Sequence, residues 1–115
     1  MSVVRQPLFA PTQVGNSAGS LYVSPTNIQT MITKLTFTNT DPAAHTISVY
    51  LGTAANDAHA LRKTKTIPAA GVEGSAWECF EAEGHMLNPG DNIYAIADVA
   101  SKVTAIGSGI QLTQG

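Results

Sequence analysis

Leu35-Thr36-Phe37-Thr38-Asn39-Thr40 and, shortly after it, Thr46-Ile47-Ser48-Val49-Tyr50-Leu51 are two stretches of alternating character. In the first, Leu35 and Phe37 share one face and Thr36 and Thr38 the other. In the second, Ile47, Val49 and Leu51 oppose Thr46, Ser48 and Tyr50. Successive side chains of a strand point to opposite faces, so period-two alternation in β-branched and aromatic residues marks a half-buried antiparallel strand. The link Thr40-Asp41-Pro42-Ala43-Ala44-His45 is short and carries an Asp-Pro turn signal. The pair reads as a hairpin, and the chain as a β-protein that joins neighbouring strands locally.

The same grammar continues on both sides. Leu61 to Ile67 alternates basic residues with Thr between apolar ends, as a half-exposed strand does. Pro68-Ala69-Ala70-Gly71 is a turn, and Ser75 to Phe80 is a strand with Trp77 and Cys79 on one face and Glu78 and Phe80 on the other. Trp77, the largest apolar side chain, is expected to anchor one sheet to another. Asn88-Pro89-Gly90-Asp91 has Pro and Gly at the positions a type II turn requires. Ile93, Ala95 and Ala97 then alternate with Tyr94 and Ile96. Val103 to Ile106 and Gly109 to Thr113 form one bent strand or two short ones, with Gly107 and Gly109 permitting a bulge. The small, polar stretch 52–60 is a loop in which Ala54, Ala58 and Leu61 allow one helical turn.

Residues 1–27 are punctuated by Pro7, Pro11 and Pro25 and by the polar link Val14 to Ser20, so they read as an extended N-terminal arm with Leu21-Tyr22-Val23 as a short edge strand. Such an arm either folds back on its own domain or reaches a neighbour, and the sequence leaves both open. Residues 28–115 are the sandwich domain. The expected fold is all-β, an antiparallel β-sandwich or jelly roll of about 7–8 short strands with turn signals every ~8–12 residues.

A chain of 115 residues suits one domain. Charged residues make up 12%, about half the usual share of about 25%, and a surface so weakly charged suits a protein that covers itself by assembling. The net charge of −2 argues against nucleic acid, which needs a basic stripe. The short cluster Arg62-Lys63-Lys65 is split by strand alternation. The N-terminus lacks a signal-peptide core and no apolar run reaches the ~20 residues of a membrane helix, so synthesis in a cytosol without membrane association is expected. The single cysteine, Cys79, permits no internal disulfide and reads as a buried small hydrophobe.

Chemistry-bearing patterns are sparse. Glu73, Glu78, Glu81 and Glu83 are the densest charge feature, but they fall on a turn, a strand and a loop without ligand spacing, and read as a solvated rim. His45, His59 and His85 lie in three loops with no ligand-pair spacing. There is no Gly-x-Ser-x-Gly elbow and no phosphate loop. The expectation is a non-enzyme with no cofactor, no metal and no small-molecule substrate.

The ordered set LTFTNT (35–40), Val49-Tyr50-Leu51, Lys65-Thr66-Ile67-Pro68, Trp77-Glu78-Cys79, Gly84-His85-Met86-Leu87-Asn88-Pro89-Gly90-Asp91-Asn92-Ile93 and Ala105-Ile106-Gly107-Ser108-Gly109-Ile110 resembles small virion structural proteins of tailed bacteriophages. The likeness covers roughly residues 30–113; residues 1–27 match no pattern of that group. It implies a sandwich or jelly roll present in many copies on a capsid surface, a cement protein clamping adjacent capsomers. The implied partners are the major capsid protein and copies of the chain itself, as a dimer or trimer. Docking is expected through the arm (Val3, Val4, Arg5, Gln6, Pro7, Leu8, Phe9) and the 52–60 loop (Asn56, Asp57, His59). The alternatives are a tail, neck or fibre attachment module, and a carbohydrate-binding sandwich using Tyr22, Tyr50 and Tyr94, with Tyr50 and Tyr94 expected to face outward.

Overall fold

The computed structural model describes residues 2–17 and 19–113, with the side chains of residues 2–5 and of residue 57 outside that description. The described chain forms nine strands: β1 (Ser2–Gln13), β2 (Gly19–Val23), β3 (Ile28–Asn39), β4 (His45–Gly52), β5 (Ala60–Ile67), β6 (Ala76–Glu78), β7 (Met86–Leu87), β8 (Asn92–Ala97) and β9 (Val103–Thr113). Single 3-10 turns occupy Asp57–His59 and Phe80–Ala82. The first sheet has the order β1-β9-β3-β6, with β7 also on β3, and the second has the order β2-β8-β4-β5. Every pairing is antiparallel.

The pairings are nested. β1 lies on β9, β2 on β8, β3 on β6 and β7, and β4 on β5. The front half of the chain thus runs back along the rear half as one long double ribbon, folded over so that its successive pairs alternate between the two sheets. That is the jelly-roll order, with no long local meander.

This overturns the hairpin reading of β3 and β4. The two strands face each other across the sandwich and belong to different sheets. Their inner residues, Leu35 and Phe37 on one and Ile47 and Val49 on the other, are all fully buried in the common core. Alternation identified the buried faces, but residues 40–44 form a sheet-to-sheet crossing. The sequence neighbours that do pair as a hairpin are β4 and β5, joined through residues 53–59.

The N-terminal stretch is sheet. β1 pairs along β9 from Ser2↔Thr113 to Gln13↔Thr104, and Leu8 belongs to the core. Pro7 and Pro11 are compatible with this because β1 is an edge strand whose register breaks on both sides of Phe9. Gly107 and Gly109 make room for it on the single long strand β9. A Cβ on Gly107 would lie 2.6 Å from the Phe9 ring, and one on Gly109 would lie 2.6 Å from the backbone oxygen of Met31.

Trp77 stacks on Phe37 with ring centroids 5.7 Å apart, and Lys65 of the other sheet sits 5.9 Å above its ring. It therefore bridges the sheets at the β5–β6 margin. The basic residues of β5 lie on an edge strand whose register is broken twice against β4, and charge and bulges there discourage edge-to-edge pairing.

Candidate functional site

Three surfaces collect the chemistry: the two ends of the sandwich and the outer face of the first sheet. At one end lie four of the crossings between sheets, at residues 14–17, 40–44, 68–75 and 98–102. Asn39, buried at the end of β3, donates its side-chain N–H groups to the carbonyls of Ala43 (2.9 Å), Ile67 (3.3 Å) and Pro68 (3.1 Å), and its Oδ1 accepts from the Asp41 N–H (2.9 Å). The Ala70 N–H donates to the Asp41 carbonyl, and both the N–H and the hydroxyl of Thr40 donate to the Lys102 carbonyl. Ser101 N–H donates to Val14 O and Ala97 N–H to Gly15 O, which brings in the remaining crossing. His45 is 7% exposed, with Nε2 2.7 Å from Asp41 Oδ2 and Nδ1 3.0 Å from Asp98 Oδ1. The fastening is polar and long-range.

At the opposite end, a cleft of about 340 Å³ is lined by residues that include Gly52, Thr53, His59, His85, Met86 and Asp91. Gly52 has φ 124° and lies under the His59 ring, which a Cβ there would strike at 2.6 Å from Nδ1. The type II turn forms as expected: Gly90 has φ 89°, the Asp91 N–H donates to Asn88 O, and Asp91 Oδ2 accepts from the Asn88 N–H. Two of the three histidines thus share one cleft while His45 sits at the far end. Among the described residues, no group of three or more His, Cys, Asp or Glu is placed to hold a metal ion.

The outer face of the first sheet carries small, neutral rows. Register places Glu78, Thr36 and Ile106 side by side, and beside them Ala76, Thr38 and Thr104. Ile106 is 45% exposed. The charges on these rows answer each other, Lys34 Nζ lying 3.6 Å from Glu78 Oε1. At the bulge between Ile32 and Lys34 the face opens into a groove of about 440 Å³ lined by Gln6, Pro7, Thr33, Ser108, Gly109 and Ile110.

The residues expected to dock therefore fall apart into separate places. Gln6 and Pro7 line the face groove, and His59 lines the end cleft beyond Asn56, whose side chain caps its own turn through the Ala58 N–H. Leu8 is core and Phe9 packs against the core over Gly107, so these two hold β1 to its own sheet. The side chains of Val3, Val4, Arg5 and Asp57 lie outside the described residues.

The tyrosines differ from expectation. Tyr50 shares the outer face with Tyr94, as alternation expects, but is buried there: it lies opposite Tyr94 and Ala60 at a break in the β4–β5 register, where β4 also meets the Asp57–His59 turn. The Tyr22 hydroxyl is tied to Thr30 Oγ1 and accepts from Gln111 Nε2. Phe80, expected on a strand, begins a 3-10 turn and is 69% exposed.

The acidic group is partly paired. Glu81 meets Arg62 at 3.5 Å. A hydrogen bond with Glu78, with burial second, holds the Glu83 carboxyl above the usual carboxylate range. Beside it Cys79 is fully buried, and burial pushes its thiol up to about 11. Because the thiolate is the reacting form, labelling of native protein by an aromatic disulfide at pH 8 is expected to run at least roughly a hundredfold slower than for a free thiol. Urea should restore the full rate. A native rate equal to the unfolded one would show Cys79 to be accessible.

No protein-family model, no curated protein and no solved structure matches this chain.

Proposed function

We propose that this protein is a structural component of a tailed-phage virion that decorates the capsid shell, assembling with copies of itself and clamping adjacent capsomers. The observation that carries the reading is the outer face of the first sheet, where Thr36, Thr38, Thr104 and exposed Ile106 are uncharged register neighbours and the adjacent Lys34 and Glu78 are paired. Interface cores are depleted of charge in this way. The jelly roll supports it by analogy alone, since viral shell proteins share that architecture with lectins and cupins. The sequence likeness over roughly residues 30–113 points the same way. Many modest contacts repeated by symmetry give such a protein its hold through avidity.

The test is co-sedimentation with mature heads of the parent virus, counting bound copies at saturation. Decoration predicts many copies spread over the head, and Ile106→Lys should weaken binding about tenfold or more, the loss expected when a central interface residue is replaced, with an unchanged urea midpoint. A few copies at one vertex would instead assign the protein to the neck or tail. No binding would overturn the reading. Deleting residues 1–11 is the wrong probe, because it would remove most of β1 and expose the flank of β9.

A further inference from the structure

We infer that His45 is a pH-operated latch: its ring, carried as the imidazolium, holds the β3–β4 crossing to the β8–β9 crossing through Asp41 and Asp98, and loss of its proton frees the Asp98 side. This does not rest on the proposed virion role.

A carboxylate only accepts hydrogen bonds, and a neutral imidazole has one N–H and one lone pair. His45 presents both ring nitrogens to carboxylate oxygens, at 2.7 Å to Asp41 and 3.0 Å to Asp98. Both nitrogens must donate, and only the imidazolium has two N–H groups. A neutral ring would turn a lone pair on one of the carboxylates, and the ring itself is only 7% exposed.

The surroundings are balanced around that charge. Lys102 Nζ lies 3.8 Å from Asp41 Oδ1, so two cations meet two carboxylates. On the β5 side the register partner of His45 is Ile67, which brings no charge. The hydrogen bond to Asp41 is the largest influence raising the affinity of His45 for its proton, burial opposes it, and Asp98 adds to it. Asp41 is shifted down, chiefly by its hydrogen bond to His45.

The directions fix the working range. The folded chain holds the His45 proton more tightly than the unfolded chain. That contribution is complete below the ordinary imidazole value of about 6.5 and is lost as pH rises through the folded value. The Asp41 contribution is complete above the ordinary aspartate value of about 3.9 and is lost as pH falls through its folded value. The latch is therefore tightest between about pH 4 and 6.5.

Which side opens follows from geometry. The Asp41 bond is shorter, and Asp41 is the less exposed carboxylate, at 20% against 41% for Asp98. On deprotonation the remaining N–H stays on Nε2 with Asp41, and Nδ1 repels Asp98. The 98–102 turn, which carries exposed Val99, then keeps its backbone ties to Thr46, Val14 and Thr40, the Thr40 hydroxyl and the Lys102–Asp41 ion pair, but loses its hold on His45.

Nitrogen NMR of the imidazoles tests this, with the His45 signal assigned by its loss in His45→Gln. At pH 6 both ring nitrogens should carry protons, the titration midpoint should lie above that of a model-peptide histidine, and backbone shifts of residues 98–102 should move with the same midpoint. Asp98→Asn should lower the midpoint and uncouple the turn, and the wild-type titration stands even if that variant folds poorly. A singly protonated ring at pH 6, or a titration that leaves residues 98–102 unmoved, would overturn the latch.

Discussion

Asn39→Asp is expected to destabilise the protein by about 3–5 kcal/mol at neutral pH, the range for leaving a buried charge without a partner. The substituted atoms are few, but their polarity inverts. The Asn39 amide nitrogen donates toward three carbonyls, on Ala43, Ile67 and Pro68. A carboxylate would turn a negative oxygen on those same carbonyls, in a position that is 1% exposed. Native domains are stable by about 5–15 kcal/mol in total, so the loss is a large share of the whole and the urea midpoint of the variant should fall sharply. Asn39→Ala should cost less, about 1–3 kcal/mol, because it leaves acceptors unpaired but buries no charge. The Asp variant should recover as pH falls, because a protonated carboxyl can donate one hydrogen bond and burial favours that form. Urea titrations across pH, with the slope held to the wild-type value, measure all three effects. An Asp variant within about 1 kcal/mol of wild type, a typical surface-like cost, would remove Asn39 from its place as the tie between crossings.

Asn39 also marks the boundary of what the sequence makes legible. Alternation assigns faces: Leu35, Phe37, Ile47, Val49, Ile93, Ala95 and Ala97 all point into the core. The turn at Asn88 to Asp91, the edge strand at Leu21 to Val23 and the buried Cys79 are legible for the same reason, since each depends on residues close in the chain. Neighbours are a different matter. Period two says which side chains share a face, not which strand lies alongside. The link after β3 is short enough for a hairpin, and what makes it a crossing is a side chain that reaches Ile67 and Pro68, far along the chain. Nothing local announces that. β1 is obscured for the opposite reason. Its prolines deny a central strand, and only its place at the sheet edge, beside two glycines of β9, makes a twelve-residue strand possible. Of the candidate docking residues, Gln6, Pro7 and His59 do line openings, while Leu8 and Phe9 are inward because β1 is sheet. His45 reads as one of three scattered histidines until Asp41 and Asp98 are brought to opposite sides of its ring.

Gly109→Ala should be the most damaging single-methyl change on β9, at about 3 kcal/mol, the upper end of the usual cost of overpacking a core. The added Cβ would lie 2.6 Å from the Met31 carbonyl oxygen and 3.0 Å from both terminal carbons of Leu8. The carbonyl is the obstacle. It belongs to β3, whose register with β9 fixes it beside Gly109, and it cannot move without disturbing the ladder on one side of the bulge at Thr33. Gly107→Ala meets a softer neighbour. Its Cβ would lie 2.6 Å and 2.9 Å from two atoms of the half-buried Phe9 ring, and that ring can swing toward solvent. About 1 kcal/mol is expected there, the lower end of the same range. Partner substitutions separate the two cases. Phe9→Leu should relieve Gly107→Ala, a coupling of the size found between residues in contact, about 0.5–3 kcal/mol. Leu8→Ala should leave the penalty at Gly109 nearly intact, because the clash with a backbone oxygen remains. Thermal and urea unfolding of the single and double variants supply the cycle. If Leu8→Ala rescued Gly109→Ala, the close approach of β3 to β9 would be softer than the register implies, and β1 alone would account for the glycine.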